Sequence, residues 1–398
     1  MSVTTPGGFE AAGIPSGIKA SGAPDLALVA AADRRPVPAA GVFTTNRVQA
    51  APVQVSAAHL ADGHAAAVIL NSGNANAATG ESGMDAAERM ASVAAGEIGC
   101  DRSDVLVCST GLIGIPFPIE VVEAATPKLA ASLAGGDAAA RAAAEAIMTT
   151  DTKPKEALAH VEVGGNAVAV GGLAKGAAML APSMATMLAV ATTDATAEPD
   201  VLKEALDHAV DASFHTLIVD GCTSTNDTVL LLASGASGAA PIERATPAFH
   251  DFTAALTDVL RSLAEQMAAD AEGATKLVRV HVRGAQSDAD ARRAARAVAN
   301  SLLVKCSFYG KDPYWGRVLS ELGASGAHME PDKTSVAYGG IVVCRRGVAA
   351  EHDADAVAAV MEERDIELVC DLGLGTGSAT VLTCDLTHEY VDENMGTS

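Results

Sequence analysis

Several polar segments interrupt the apolar stretches of this 398-residue chain, and they contain the residue types that could do chemistry. Thr186 stands between Ala185 and the apolar residues 187–190, which are typical of a buried strand. A threonine at such a position can be a β-branched filler of the strand, or a nucleophile if a base activates its hydroxyl. From this pattern alone, the filler is favoured.

A Thr-Gly pair, Thr110 and Gly111, follows another apolar run. Such a pair at a strand end can present a hydroxyl and a backbone N–H to one point, as an oxyanion hole requires, although most such pairs are only turns. The segment 71–80 contains three Asn and two Gly directly after an apolar strand. It can form a loop that cradles a ligand or an ordinary turn, because both residue types tolerate left-handed backbone.

Charged residues appear in three further segments. Lys175 is an isolated cation in the apolar stretch 172–180, so its side chain must extend to solvent or serve a site. Glu272, flanked by small residues, could approach the ammonium group of a ligand, but a helix cap or a surface position is its more ordinary role. Residues 148–157 include hydroxyls, two carboxylates and two lysines, and alone they predict a solvated helix terminus.

Other motifs argue against common enzyme classes. The segment GLGTG at 373–377 is followed by a strand pattern rather than by a helix, so it does not predict a phosphate loop. The sequence contains neither an H-x-x-x-H pair nor a G-x-S-x-G elbow, which disfavours a zinc hydrolase and an α/β-hydrolase. We therefore expect no metal and no cofactor.

The composition and the charge of the chain indicate its cellular compartment and the classes of partner that it binds. The formal net charge is −22, and the sequence contains no run of Lys and Arg that could bind nucleic acid. The seven cysteines are scattered without a C-x-x-C pair, and the amino terminus lacks the pattern of a signal peptide. No apolar run is long enough to span a membrane. The sequence predicts a cytoplasmic protein that binds neither nucleic acid nor membrane.

Helical and strand periodicities are interleaved along the chain, which predicts an α/β protein. The alternation around Gly-Gly-Asn at 161–170 is typical of a hairpin and favours mixed or antiparallel sheets. A loop rich in small and polar residues is expected at 232–247, and the last two strands are expected to form a closing pair. Strands are predicted at 65–71, 104–109, 161–170, 277–284, 366–373 and 379–387, and helices at 84–99, 136–148, 201–213, 248–270 and 288–303.

Nine segments, taken in order, carry the pattern of one enzyme family. They are GVFTTNRVQAAPV (41–53), ILNSGNANAATG (69–80), STGLIG (109–114), MTTDTKPKEA (148–157), LAKGAAMLAPSMATML (173–188), DGCTSTNDT (220–228), EGATK (272–276), YGKDPYWGR (309–317) and TCDLTHEYV (383–391). Together they resemble the ornithine acetyltransferases of arginine biosynthesis, also called glutamate N-acetyltransferases. The resemblance spans nearly the whole chain.

The resemblance implies a layered α-β-β-α sandwich with mixed, largely antiparallel sheets, a fold shared with self-cleaving aminopeptidases. It also implies that the chain cuts its own Ala185–Thr186 bond. Residues 1–185 would form an alpha chain, and residues 186–398 would form a beta chain that begins with the nucleophile Thr186. Two copies of each chain would assemble as a heterotetramer.

The resemblance also implies the roles of individual residues. Thr186 would be the nucleophile, and Thr110 with Gly111 would form the oxyanion hole. The remaining substrate contacts would come from Thr149, Lys175, Glu272, Asn394 and Ser398, together with Thr186. Three features depart from the family pattern: Ser183 replaces an Asn, Cys222 replaces an acidic residue, and the tail 394–398 is short and lacks a tyrosine.

The implied reaction moves an acetyl group from N-acetylornithine to glutamate through an acetylated Thr186, with ping-pong kinetics. An N-terminal threonine supplies its own α-amine as base, so cleavage of the chain and activation of the hydroxyl are linked. Acetyl-CoA could be a second donor. The alternatives are an aminopeptidase or amidohydrolase of the same fold, which would pass the acyl group to water, and a binding protein that no longer processes itself.

Overall fold

Strands and helices alternate along the chain, as the periodicities predict. The computed structural model describes residues 2–179 and 187–395, so Ser183, Ala185, Thr186 and Ser398 lie outside the described residues. The strands are β1 (Phe9–Ile14), β2 (Leu26–Ala31), β3 (Val37–Phe43), β4 (His64–Ala65), β5 (Ala67–Asn74), β6 (Val105–Leu112), β7 (Lys155–Val163), β8 (Asn166–Lys175), β9 (Leu188–Thr193), β10 (Thr228–Ala233), β11 (Leu277–Ala285), β12 (Ser335–Tyr338), β13 (Ile341–Arg345), β14 (Val348–Ala349), β15 (Asp365–Asp371) and β16 (Gly377–Cys384).

The helices fill the intervals between these strands. They are α1 (Ala51–His59), α2 (Gly80–Ile98), α3 (Ile119–Ala131), α4 (Asp137–Ala146), α5 (Pro199–Asp211), α6 (Pro247–Ala269), α7 (Asp288–Asn300), α8 (Leu302–Tyr309), α9 (Trp315–Ala324), α10 (Ala354–Glu362) and α11 (His388–Glu393). In the part of the chain that the structure describes, no helix is long and apolar enough to cross a membrane.

The strands form three mixed sheets. The first has the order β1-β2-β5-β6, the second β4-β3-β10-β9-β8-β7, and the third β14-β13-β12-β15-β11-β16. Most neighbours are antiparallel, and each sheet contains one parallel pair: β5 with β6, β9 with β10, and β11 with β15. This mixture agrees with the predicted sheets.

The first two sheets pack face to face between two layers of helices. Because side chains of a strand alternate between its faces, Val29 of β2 packs toward Val190 and Leu230 of the second sheet, while Leu28 packs under α2. Leu231, the next residue of β10, packs instead with α5 and α6. The layers therefore follow the order α-β-β-α, and the predicted fold class is confirmed.

The third sheet has a core of its own. Alternate residues of β11, among them Val278 and Val280, pack against α7, with α8, α9 and α10 completing the cluster. Leu277 and Cys384, at the ends of β11 and β16, join the core of the second sheet instead. The third sheet is thus continuous with the sandwich, through the strand ends that adjoin the loop 271–276.

Two local predictions need correction. The helix predicted over 288–303 ends at Asn300, because Ser301 takes an extended backbone and its hydroxyl accepts a hydrogen bond from Val304 N at 3.4 Å, which caps a new helix. The two last strands do not pair with each other, since β11 lies between them, parallel to β15 and antiparallel to β16. Periodicity identified these strands but not their neighbours.

The hairpin predicted at 161–170 is confirmed. Gly164 and Gly165 have φ angles of 60° and 85°, the left-handed backbone that a two-residue turn between antiparallel strands requires. This tight turn fixes the register of β7 on β8, which places Lys155 opposite Ala174. Lys175 in turn pairs with Leu188 of β9, two residues after Thr186 in sequence.

Candidate active site

Lys175 lies at the end of β8, and only 2 % of its surface is exposed. Its Nζ donates hydrogen bonds to Thr149 Oγ1 at 2.7 Å and to Thr110 Oγ1 at 3.4 Å. The side chain therefore does not extend to solvent. Of the two predicted roles for Lys175, solvent exposure and a place in a site, the structure supports the second. Three of the predicted site residues thus meet at one ammonium group.

Thr110 and Gly111 end β6 beside β5, where their neighbours across the ladder are Ser72 and Gly73. Gly111 has a φ of +134°, and a Cβ built on it would lie 2.3 Å from the carbonyl carbon of Gly73. Only glycine fits this close approach of two backbones. The backbone of Gly111 is therefore fixed against β5 at the position where the oxyanion hole is predicted.

The Asn-rich segment 71–80 comprises the last four residues of β5, a short connection and the first residue of α2, and its own side chains hold it. Asn71 Nδ2 donates to Asn74 O at 2.9 Å, and Asn76 Nδ2 donates to Gly83 O at 2.9 Å. Farther along the chain, Asn226 donates from Nδ2 to Ala75 O at 2.6 Å and to a carbonyl of β6 at 2.8 Å. These amides bind backbone, so they brace the ends of β5 and β6.

Glu272 approaches the same region from the second half of the chain. Its backbone N–H donates to Ala177 O at 3.0 Å, two residues beyond Lys175. Its carboxylate accepts a hydrogen bond from Asn394 Nδ2 at 2.7 Å, and only 9 % of the residue is exposed. The structure thus joins the predicted substrate residues Glu272 and Asn394, and it rules out the surface position for Glu272.

The loop that carries Glu272 is anchored by two buried charges. Asp385 accepts hydrogen bonds from Thr275 N at 2.9 Å and from Lys276 N at 3.0 Å. Lys276 Nζ donates to the carbonyls of the last turn of α10 and the residue after it, at distances of 2.6 to 2.9 Å. A cation is favourable there because the carbonyls at a helix carboxyl end carry partial negative charge. Lys276 thereby ties the loop to the third sheet's helices.

The prediction of a solvated helix terminus at 148–157 is wrong for its charged residues Asp151 and Lys155. Both are buried, with Lys155 Nζ 2.6 Å from Asp151 Oδ1. Asp151 also accepts hydrogen bonds from Gly176 N at 2.7 Å and Thr149 N at 3.0 Å. The sequence does not distinguish buried from solvated charges here, because the burial comes from β8 and from a helix more than a hundred residues away.

Two further groups near the site were not singled out from the sequence. Asp227 Oδ1 accepts a hydrogen bond from Met187 N at 3.0 Å, and burial raises the pKa of Asp227 well above its usual value. Lys19 donates to Met148 O at 2.7 Å, and burial lowers its pKa. Asp227 lies in the quoted segment 220–228 but was not named as a site residue, and Lys19 lies in none of the quoted segments.

Asp220 organises the segment in which Cys222 departs from the family pattern. Its carboxylate accepts hydrogen bonds from Met179 N at 2.6 Å, from Cys222 N at 3.0 Å and from the Tyr390 hydroxyl at 3.2 Å. The Cys222 thiol is exposed, and partial burial together with Asp220 raises its pKa. Asp220 therefore connects the segment after Lys175 to α11, which precedes Asn394.

Burial and neighbouring charges act in opposite directions on the pKa values of Lys175 and Asp151. Burial lowers the pKa of Lys175, Asp151 opposes this effect, and the ammonium of Lys155 adds to it. For Asp151 itself, burial raises the pKa, but Lys175 and Lys155 outweigh burial, and the pKa of the carboxyl lies below its usual range. The charges of these groups consequently depend on one another.

Six of the predicted site residues are therefore brought into one region: Thr110, Gly111, Thr149, Lys175, Glu272 and Asn394. Ala185, Thr186 and Ser398 lie outside the described residues, and the catalytic and substrate-binding roles stay predictions. Within residues 2–179 and 187–395, no three His, Cys, Asp or Glu side chains form a group that could hold a metal ion. The expectation that no cofactor takes part is likewise still a prediction.

Comparisons with known proteins extend the similarity over the whole chain. A sequence profile of the ArgJ family matches residues 10–396. The chain is 46 % identical over 395 residues to the arginine biosynthesis bifunctional protein ArgJ of Symbiobacterium thermophilum, which covers 98 % of this chain and 97 % of that protein. It is 47 % identical over 406 residues to the protein of the same name from Thermobifida fusca, covering 100 % of both.

A solved structure agrees with these similarities over part of the chain. The crystal structure of the arginine biosynthesis bifunctional protein argJ of Bacillus halodurans matches with 35 % sequence identity and a TM-score of 0.51. The match covers 98 % of that chain and 52 % of this one. Over that 52 % of this chain, the fold is found in a relative.

We expect Gly111→Ala to lower the midpoint of thermal unfolding by several degrees. The new Cβ would meet backbone of β5, and alanine is strained at a φ of +134°, which together cost about 1–3 kcal/mol or more. Gly96→Ala is the matched control, because Gly96 lies inside α2 and a Cβ added there would have no neighbouring atom within 4 Å. Equal midpoints for the two variants would contradict the close contact of β5 and β6.

Proposed function

The chain belongs to the ArgJ family, and from this membership and the geometry of the site we propose how it works as an enzyme of arginine biosynthesis. The resemblance to the ornithine acetyltransferases is confirmed, and the protein is a glutamate N-acetyltransferase. We propose that N-acetylornithine is its acetyl donor and glutamate its acceptor. The observation that carries this proposal is the buried Lys175 ammonium, bonded to the hydroxyls of Thr149 and Thr110.

The proposed reaction begins with attack of the Thr186 hydroxyl on the acetyl carbonyl of N-acetylornithine. The α-amine of Thr186 takes the hydroxyl proton, while Thr110 and the Gly111 N–H stabilise the oxyanion. The C–N bond then breaks, the proton passes to the leaving nitrogen, and ornithine departs. The α-amine of glutamate attacks the acetyl ester, and N-acetylglutamate leaves with the threonine hydroxyl restored.

The proposed substrate contacts follow the charges of the site. Lys175 would attract the carboxylate of either amino acid, and Thr149 would add a hydroxyl beside it. Glu272, held by Asn394, would face the side-chain ammonium of ornithine. A carboxylate that is 9 % exposed and lies close enough to influence the pKa of Lys175 suits a small, doubly charged substrate. Ser398 would complete this set.

We further propose that the chain matures by cutting its own Ala185–Thr186 bond. Attack of the Thr186 hydroxyl on the Ala185 carbonyl would give an ester that water opens, and the cut would free the α-amine that later acts as base. The products, residues 1–185 and 186–398, would assemble as a heterotetramer of two copies each. We place the enzyme in the cytoplasm.

Thr186→Ala should leave the protein as one chain of 39.9 kDa without acetyl transfer, because both the cut and the reaction use this hydroxyl. Thr186→Ser is the matched control: it keeps a hydroxyl and should still give two fragments. Mass spectrometry of the denatured proteins measures the cut, and release of ornithine from N-acetylornithine measures the reaction. Two fragments from Thr186→Ala, or residual transfer, would refute the role of Thr186.

Release of ornithine should depend on glutamate. In a ping-pong transferase the acetyl-enzyme waits for its acceptor, so N-acetylornithine alone should give at most one equivalent of ornithine per active site. Adding glutamate should give continuous release and an equal amount of N-acetylglutamate, both measured by chromatography. Continuous ornithine release without glutamate would instead identify the hydrolase of the same fold, with water as the acceptor.

Acetyl-CoA is the second donor that we propose, since the curated relatives carry the word bifunctional in their names. Acetyl-CoA and glutamate should then give N-acetylglutamate and free CoA, which a thiol reagent detects. Thr186→Ala provides the background rate. Formation of CoA no faster than this background would mean that the enzyme accepts acetyl groups from N-acetylornithine alone.

A further inference from the structure

A chain of buried charges continues from Lys175 to the other side of the site. Asp151 Oδ2 lies 3.8 Å from Lys175 Nζ, and Asp151 Oδ1 lies 2.6 Å from Lys155 Nζ. Lys155 Nζ is also 2.7 Å from Asp270 Oδ2. We name these four residues, Lys175, Asp151, Lys155 and Asp270, the charge chain. Cations and anions alternate along it, and its formal charges cancel.

The charge chain is almost entirely removed from water. The side chains of Asp151 and Lys155 are 0 % and 1 % exposed, and that of Asp270 is 11 % exposed. Desolvating a charge is costly, and removing one member of a buried pair leaves the other uncompensated. Each member therefore constrains the position and the charge of its neighbours far more than a surface ion pair does.

Asp270 joins the charge chain to the loop of Glu272. It follows directly after α6, two residues before Glu272, and it accepts hydrogen bonds from Thr152 N at 3.0 Å and from Lys155. Near the Lys175 end, Asp151 joins the charge chain to two backbone segments, because its carboxylate accepts hydrogen bonds from the N–H groups of Thr149 and Gly176. The charge chain thus spans the distance between the two groups that would hold opposite ends of the substrate.

We propose that Asp151 and Lys155 are positioning residues that set the orientation and the protonation of Lys175, with Asp270 extending their hold to the Glu272 loop. This inference rests on the proposed function only in that Lys175 must be charged to bind its substrate. Nothing in the reaction itself requires Asp151, Lys155 or Asp270 to touch the reacting atoms. Their effect passes through Lys175 and through the two loops.

The charges around Lys175 fix the sign of the expected effects. Asp151 raises the pKa of Lys175 and Lys155 lowers it, while Glu272 and Asp227 also raise it. Lys19 is a further cation near the site, and Lys175 is close enough to lower the pKa of Lys19. Since the ammonium form of Lys175 is the binding form, activity should fall as the pH rises through the pKa of Lys175, and this alkaline limb should follow any change in that pKa.

The test compares the pH dependence of kcat/KM for N-acetylornithine in two variants. Asp151→Asn removes the carboxylate that favours the charged lysine, so its alkaline limb should move to lower pH by about one unit or more. Lys155→Met removes the competing cation, so its limb should move in the opposite direction. The pKa of the free substrate affects every variant equally and cancels in the comparison. A purely structural role would not give opposite shifts.

Asp194→Asn is the matched control. Asp194 follows β9 and, like Asp151, accepts hydrogen bonds from backbone, at 2.8 Å from Ala169 N and 3.2 Å from Gly7 N, but it lies outside the charge chain. The alkaline limb of kcat/KM in Asp194→Asn should coincide with that of the wild type. Circular dichroism confirms that each variant is folded. If Asp151→Asn does not fold, the direction of the Lys155→Met shift decides alone.

The outcomes separate this inference from the proposed function. A wild-type enzyme that moves no acetyl group from N-acetylornithine to glutamate would refute the proposed function. If the wild type does transfer the acetyl group, but the alkaline limbs of Asp151→Asn and Lys155→Met coincide with that of the wild type, the inference is overturned and the proposed function stands. Asp270→Asn should raise the KM through the Glu272 loop, and a lower kcat at unchanged KM would contradict that part.

Discussion

The site depends on one physical constraint, which is that the ammonium group of Lys175 is buried. A buried cation is tolerated only if polar and anionic groups replace the water that it has lost. Thr149 and Asp151, from the loop after α4, and Thr110, from β6, do so. The need to compensate one charge thereby brings together the end of β6, the loop after α4 and the end of β8.

The α-β-β-α sandwich supplies the rigid frame for this arrangement. The predicted nucleophile directly precedes Met187 and β9, and β9 is paired on both sides, with β8 and with β10. Leu188 and Val190 lie in the core between the sheets. A buried, doubly paired strand is a rigid element, and rigid elements position the residues of a site more precisely than loops do.

Local patterns predicted the elements well and their neighbours less well. The hairpin at Gly164 and Gly165 follows from two adjacent residues, and the structure confirms it. The break at Ser301 was missed because the apolar periodicity continues through it, although its hydroxyl caps the next helix. The strands β15 and β16 were placed side by side, whereas β11, about eighty residues earlier in sequence, lies between them. Strand order depends on contacts that no window of sequence contains.

The sequence by itself determined the fold class and the enzyme family, and it marked six predicted site residues that the structure brings together, because these depend on residue types in a fixed order. Only the tertiary structure decided that Asp151 and Lys155 are buried, that Glu272 is tied to Asn394, and that Asp270 joins the two sides of the site. The reason is physical. Whether a charge is solvated or buried is settled by the elements that pack over it, and Asp270 meets Lys155 across 115 residues of sequence.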